Sequence, residues 1–102
     1  MKTYYYYPNL FDGETPDIEN AYEFRSERDI HAVKGGYDRW EVEWLVEETA
    51  SDYLNNHDGW EIAHKWCGYE RTFVLWDENK NLVGEFDVLL EYEPIFRANR
   101  KK

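Results

Sequence analysis

The chain has 102 residues, of which 42% are hydrophobic and 19% are Phe, Trp or Tyr, and its formal net charge is -10. That length fits one domain with one modest core, and the aromatic share excludes generic disorder despite the acidity. Residues 1–96 hold 22 acids against 8 bases, a charge of -14, so the body should repel nucleic acid and anionic membranes and attract a basic protein surface.

Residues 3–7 carry four consecutive tyrosines, Tyr4 to Tyr7. Their β-propensity predicts a strand with Tyr4 and Tyr6 on one face and Tyr5 and Tyr7 on the other. Pro8 is expected to end it, and Asp12-Gly13 marks a turn in the loop that follows. Residues 17–29 fit two patterns. Ile18, Ala21, Tyr22 and Arg25 have helical spacing, whereas Tyr22, Phe24 and Ser26 alternate with Ala21, Glu23 and Arg25 as a strand would. The alternation favours a strand over 21–26.

After Gly35-Gly36 the spacing predicts a helix over 38–56. Val42, Leu45, Val46, Thr49, Ala50, Tyr53 and Leu54 recur at helical intervals and define its buried stripe. Asp38 is the expected N-cap, with Glu41 completing a capping-box-like pair, and Asn55-Asn56 before Asp58-Gly59 supplies the stop. Alternation over 60–66 suggests a further strand.

Residues 71–76 and 82–92 read as a hairpin joined by the polar loop 77–81. In its second strand Leu82, Gly84, Phe86, Val88, Leu90 and Tyr92 share the face expected to be buried, and Val83, Glu85, Asp87, Leu89 and Glu91 the wetter one. Pro94 is expected to close the last strand. Arg97, Arg100, Lys101 and Lys102 then make a short basic tail, expected to be a solvated, frayed end. Runs of strands around one helix predict an α+β fold, one main helix on an antiparallel sheet of four to five strands, with the whole of 1–102 as a single domain.

The run His57-Asp58-Gly59-Trp60-Glu61, with Phe73-Val74-Leu75-Trp76-Asp77, Gly84-Glu85-Phe86-Asp87-Val88 and Glu91-Tyr92-Glu93-Pro94-Ile95-Phe96-Arg97-Ala98, resembles a group of small acidic uncharacterised proteins of phages and bacteria. The resemblance covers the second half of the chain through turn and strand patterns. It implies a small α+β domain and a phage origin, and it carries no catalytic residues.

Cys67 is the sole cysteine. It permits no intramolecular disulfide and fits a reducing compartment. There is no apolar run of about 18 residues and no signal-peptide core near Met1, so a soluble, cytoplasmic protein is expected. His57, His64 and Cys67 lie within eleven residues, near Asp58. With one thiolate and no Cys-x-x-Cys they do not match a zinc site, and no metal or cofactor is expected. No phosphate loop, nucleophile elbow or opposed carboxylate pair stands out, which predicts a protein that is not an enzyme.

The helix back face carries more information. Trp44 falls opposite the buried stripe with Trp40 one turn away, and Glu41, Glu47 and Glu48 border them. Tryptophans rimmed by charge on a wet face are the composition of an interface hot spot. The alternative is that the loop over 9–15, or the tail, covers both rings, as most large apolar side chains are packed. Two functions follow as expectations. One is an acidic binding module whose carboxylates stand in for phosphates on a basic, nucleic-acid-binding surface of another protein, as in an inhibitor of a host defence nuclease. The other is a small accessory protein that forms a homodimer through the tryptophan face, its acidity serving solubility.

Overall fold

The computed structural model describes residues 1–10, 15–31, 36–57, 70–91 and 95–100. Its elements are β1 (Lys2–Leu10), a 3-10 turn (Ile18–Asn20), β2 (Tyr22–Ser26), α1 (Arg39–Asn56), β3 (Glu70–Trp76), β4 (Leu82–Glu91) and β5 (Ile95–Arg100). The strands form one sheet in the order β2-β1-β3-β4-β5, antiparallel at every pairing. One α-helix on an antiparallel five-stranded sheet is the α+β fold that the alternating and helical patterns predict. The strand expected over 60–66 lies outside the described residues.

The two periods in the sequence meet in one core. From α1, Val42, Leu45, Val46, Thr49, Ala50 and Leu54 are buried, with Tyr53 packed against them. From the sheet come Tyr4 and Tyr6 of β1, Phe73 and Leu75 of β3, Phe86 and Val88 of β4 and Ala98 of β5. Asp38 caps α1, its carboxylate accepting from the Trp40 and Glu41 amides at 2.9 and 3.2 Å. The capping box does not close as expected. The Asp38 amide donates to the Ile30 carbonyl at 2.8 Å, so the Glu41 carboxylate is free to pair with Arg28 at 3.1 Å instead.

Three sequence expectations are corrected. Pro8 does not end β1, which continues to Leu10. The pairing with β3 shifts register between Tyr7 and Leu10, and an irregular ladder tolerates a residue without an amide hydrogen. On β4 a second shift lies between Leu75 and Trp76, which pair with Gly84 and Leu82. The extra residue, Val83, turns into the core and Leu82 is left 58% exposed, the reverse of strict alternation. Lastly, the chain after Pro94 is no frayed tail through Arg100. It forms β5, paired with β4 from Glu91↔Ile95 to Phe86↔Arg100, because Ala98 is small enough to sit buried beside Val88. Lys101 and Lys102 lie outside the described residues.

Gly84 shows how β5 is held at its end. A Cβ built there would lie 2.6 Å from Arg100 Nη1, and the Arg100 guanidinium sits 5.1 Å from the Phe86 ring. The obstacle is the tip of a flexible, exposed side chain. Gly84→Ala should therefore cost less than about 1 kcal/mol and release Arg100 from Phe86, a change that the melting temperature and Arg100 side-chain NMR signals would report.

The buried tyrosines give a pH dependence. Tyr4 donates to the Arg28 carbonyl at 2.7 Å and Tyr6 to Asp52 Oδ2 at 2.6 Å. Burial pushes the Tyr4 hydroxyl from 10.0 up to about 12. Burial and the Asp52 hydrogen bond raise Tyr6 further. Both are neutral in the fold while an unfolded tyrosine ionises near 10.0, so their contribution is complete below that pH and is lost as pH rises through the folded values. Denaturant midpoints should be level up to that pH and fall above it. A midpoint unchanged across that range would contradict the burial.

Candidate functional site

Helical geometry places side chains four residues apart on one face, and Trp40 and Trp44 stand side by side there, ring centroids 6.5 Å apart and planes tilted by 35°. Trp40 is 61% and Trp44 45% exposed, so the first indole stands mostly in water and the second almost half so.

Two arginines complete this face. The Arg39 guanidinium lies 5.7 Å from the Trp40 ring and pairs with Glu43 at 3.3 Å. The Arg28 guanidinium, from the segment after β2, lies 5.2 Å from the Trp44 ring. Glu41 holds it at 3.1 Å and Glu48 at 3.0 Å, and Glu48 also accepts the Ser26 hydroxyl at 3.1 Å. Partial burial works against the Arg28 charge, but the Glu41 hydrogen bond and the Glu48 charge outweigh it and raise its pKa. Glu47 faces away from this cluster, its Oε2 accepting the Ala98 amide of β5 at 3.0 Å.

Of the residues singled out from sequence, Trp40, Trp44, Glu41 and Glu48 therefore gather around Arg28, whereas Glu47 fastens an edge strand. Sequence reasoning missed both arginines. Arg39 is adjacent to Trp40 and could have been found on the helical wheel. Arg28 reaches α1 through the tertiary fold alone. The position of Glu47 has a measurable consequence. Glu47→Ala should leave the Ala98 amide without its acceptor, cost about 1 kcal/mol and speed amide exchange along β5. Unchanged exchange at Ala98 would show that the contact contributes nothing.

A second cluster joins distant parts of the chain. His31 Nε2 is 2.6 Å from Glu78 Oε1 and 3.8 Å from Asp77 Oδ2, and the three donor atoms lie within 4.8 Å of one another. Tyr37 donates to Asp77 Oδ2 at 3.1 Å, its hydroxyl pKa raised by burial and then by Asp77. Lys2 pairs with the other Glu78 oxygen at 3.4 Å. The cluster ties the β3–β4 loop to the start of β1 and to the segment after β2. Of the histidines and cysteine considered for zinc, His57 stacks on Tyr22 at 4.0 Å and pairs with Asp52 at 3.4 Å. His64, Cys67 and Asp58 lie outside the described residues.

No family model matches the chain, and neither the curated proteins nor the solved structures give a match. Among the described residues no helix is long and apolar enough to cross a membrane.

Proposed function

We propose that the protein is a non-catalytic, cytoplasmic acidic module that binds a basic protein surface, in its most concrete form a phage-encoded inhibitor that occupies the nucleic-acid-binding face of a host defence protein. The observation that carries this reading is the exposed Trp40–Trp44 pair on a chain of net charge -10. Large aromatic rings supply desolvated anchors at interfaces, and surrounding carboxylates steer a cationic partner and select against phosphate. The protein itself is expected not to bind nucleic acid; micromolar affinity for duplex or single-stranded nucleic acid at physiological salt would refute this.

A homodimer through the same face is the second reading. Arg28 and Arg39 share the face with Glu41, Glu43 and Glu48, so it carries both signs and could complement a second copy of itself.

Trp44→Ala tests the site. The ring is almost half exposed, so its loss should lower the melting temperature little, by the Arg28 stacking worth about 0.5–1 kcal/mol, while association is abolished. Binding to purified basic nucleic-acid-binding proteins at low and high salt, together with sedimentation of the protein alone, separates the readings. Salt-sensitive binding that nucleic acid displaces supports the inhibitor, and concentration-dependent dimerisation lost in Trp44→Ala supports the homodimer. A large drop in melting temperature places Trp44 in the core and ends both.

A further inference from the structure

The two edges of the sheet are treated differently. At β5, α1 lies against the strand and Glu47 occupies the Ala98 amide, one of the devices that keep an edge from recruiting another strand. At the opposite edge β2 pairs with β1. Among the described residues nothing pairs with its second row of backbone groups.

A groove runs along this edge between β2 and α1. It consists of two open clefts, of about 710 and about 330 Å3, that share Phe24 and Glu48 in their walls. Phe24 faces the helix side of the sheet, since it pairs with buried Tyr4, and it is half-buried. Six acidic residues line the two clefts, against two arginines, Arg25 and Arg28. Arg28 is already engaged by Glu41 and Glu48. Asp52 takes the Tyr6 hydroxyl, the Asn56 amide and the His57 ring, with no lysine or arginine on it among the described residues.

We propose that the β2 edge takes an extended, lysine- or arginine-bearing segment of a partner protein as a sixth strand. This rests on the reading of the protein as an acidic binding module and names the partner's chemistry at a second surface, next to the tryptophan pair. An added strand runs about 4.8 Å outside β2, and its alternate side chains point toward the helix. A long cationic side chain there lays its methylene stem on Phe24 and brings its charge to Glu48 and Asp52, a division of one side chain that an acidic or short residue cannot make. Main-chain hydrogen bonds supply the pairing and the groove supplies the selection for charge.

The test uses a synthetic peptide of about eight residues that alternates lysine and valine, long enough to span the five residues of β2. Two control peptides carry N-methyl groups on alternate amides or glutamate in place of lysine. Saturable binding of the lysine peptide should slow amide exchange over Tyr22–Ser26 and shift the Phe24 ring signals, and both controls should fail to bind. Asp52→Asn, which keeps an acceptor for Tyr6, should weaken the peptide severalfold with the melting temperature checked in parallel. Binding that survives N-methylation, shifts confined to the Trp40 and Trp44 indoles, or no saturable binding overturns the proposal. Loss of the peptide with Trp44-dependent association intact removes the edge site and leaves the module reading standing. Peptide binding that persists in Trp44→Ala keeps the edge site even where the tryptophan anchor has failed.

Discussion

Val46→Asp is expected to unfold the protein. Val46 is fully buried on the core side of α1, between Val42 and Ala50 and over the sheet. An aspartate there loses its water and meets apolar neighbours, so the fold must hold an unpaired charge or protonate it. Either outcome costs several kcal/mol, against a stability of about 5–15 kcal/mol for a domain of this kind. Removing the valine methyls adds a packing loss of about 1 kcal/mol or more. The expected result is a flat circular-dichroism melt and collapsed amide dispersion at neutral pH. A folded Val46→Asp variant with near-native stability would mean that the helix turns another face to the sheet.

Asp77→Ala should also be strongly damaging. Asp77 opens the β3–β4 loop and is buried. Its Oδ1 accepts the Asn79 and Asn81 amides, each at 2.9 Å, and its Oδ2 accepts the Tyr37 hydroxyl. Its own amide donates to the Asn81 carbonyl, and the Lys80 amide donates to its carbonyl, each at 2.9 Å. Those bonds hold Lys80 at a φ of 65°, a left-handed conformation that costs a non-glycine residue about 1 kcal/mol or more. Alanine strands three donors at once. At about 1 kcal/mol or more for each donor left without its acceptor, the loss should reach about 3–4 kcal/mol. Asp77→Asn keeps an acceptor oxygen and should fall well short of that. Equal melting temperatures for the two variants would show that the carboxylate does not organise the loop.

These variants probe different kinds of information. The face of α1 that holds Val46 was readable from residue spacing, because a helix on a sheet must bury one stripe and the stripe repeats with the helix. The faces of Tyr4 and Tyr6 followed in the same way from the period of a strand. Asp38 announced its cap because the first amides of a helix need an acceptor close in sequence. Trp40 and Trp44 were legible as lying off the stripe that the core requires, but only the structure shows that no described segment covers them completely.

What the sequence could not reveal depends on partners distant along the chain. The shift that turns Val83 inward and Leu82 outward is set by how β3 meets β4, and no local pattern encodes it. β5 was hidden because a strand after a proline, rich in cations, looks like a tail until β4 offers it a pairing edge and Ala98 a place in the core. The roles of the carboxylates were hidden for the same reason. Glu47 closes an edge, Glu48 and Glu41 grip Arg28, and Asp77 organises a loop, yet all four look alike as acidic residues in an acidic chain. Spacing and composition determined the fold class, the buried face of the helix and the sign of the charge, because these follow from local periodicity and a count of residues. Tertiary structure alone decided which carboxylates are occupied, that Arg28 lies on Trp44, and which edge of the sheet has no described partner, because each depends on segments brought together only when the sheet closes around its core.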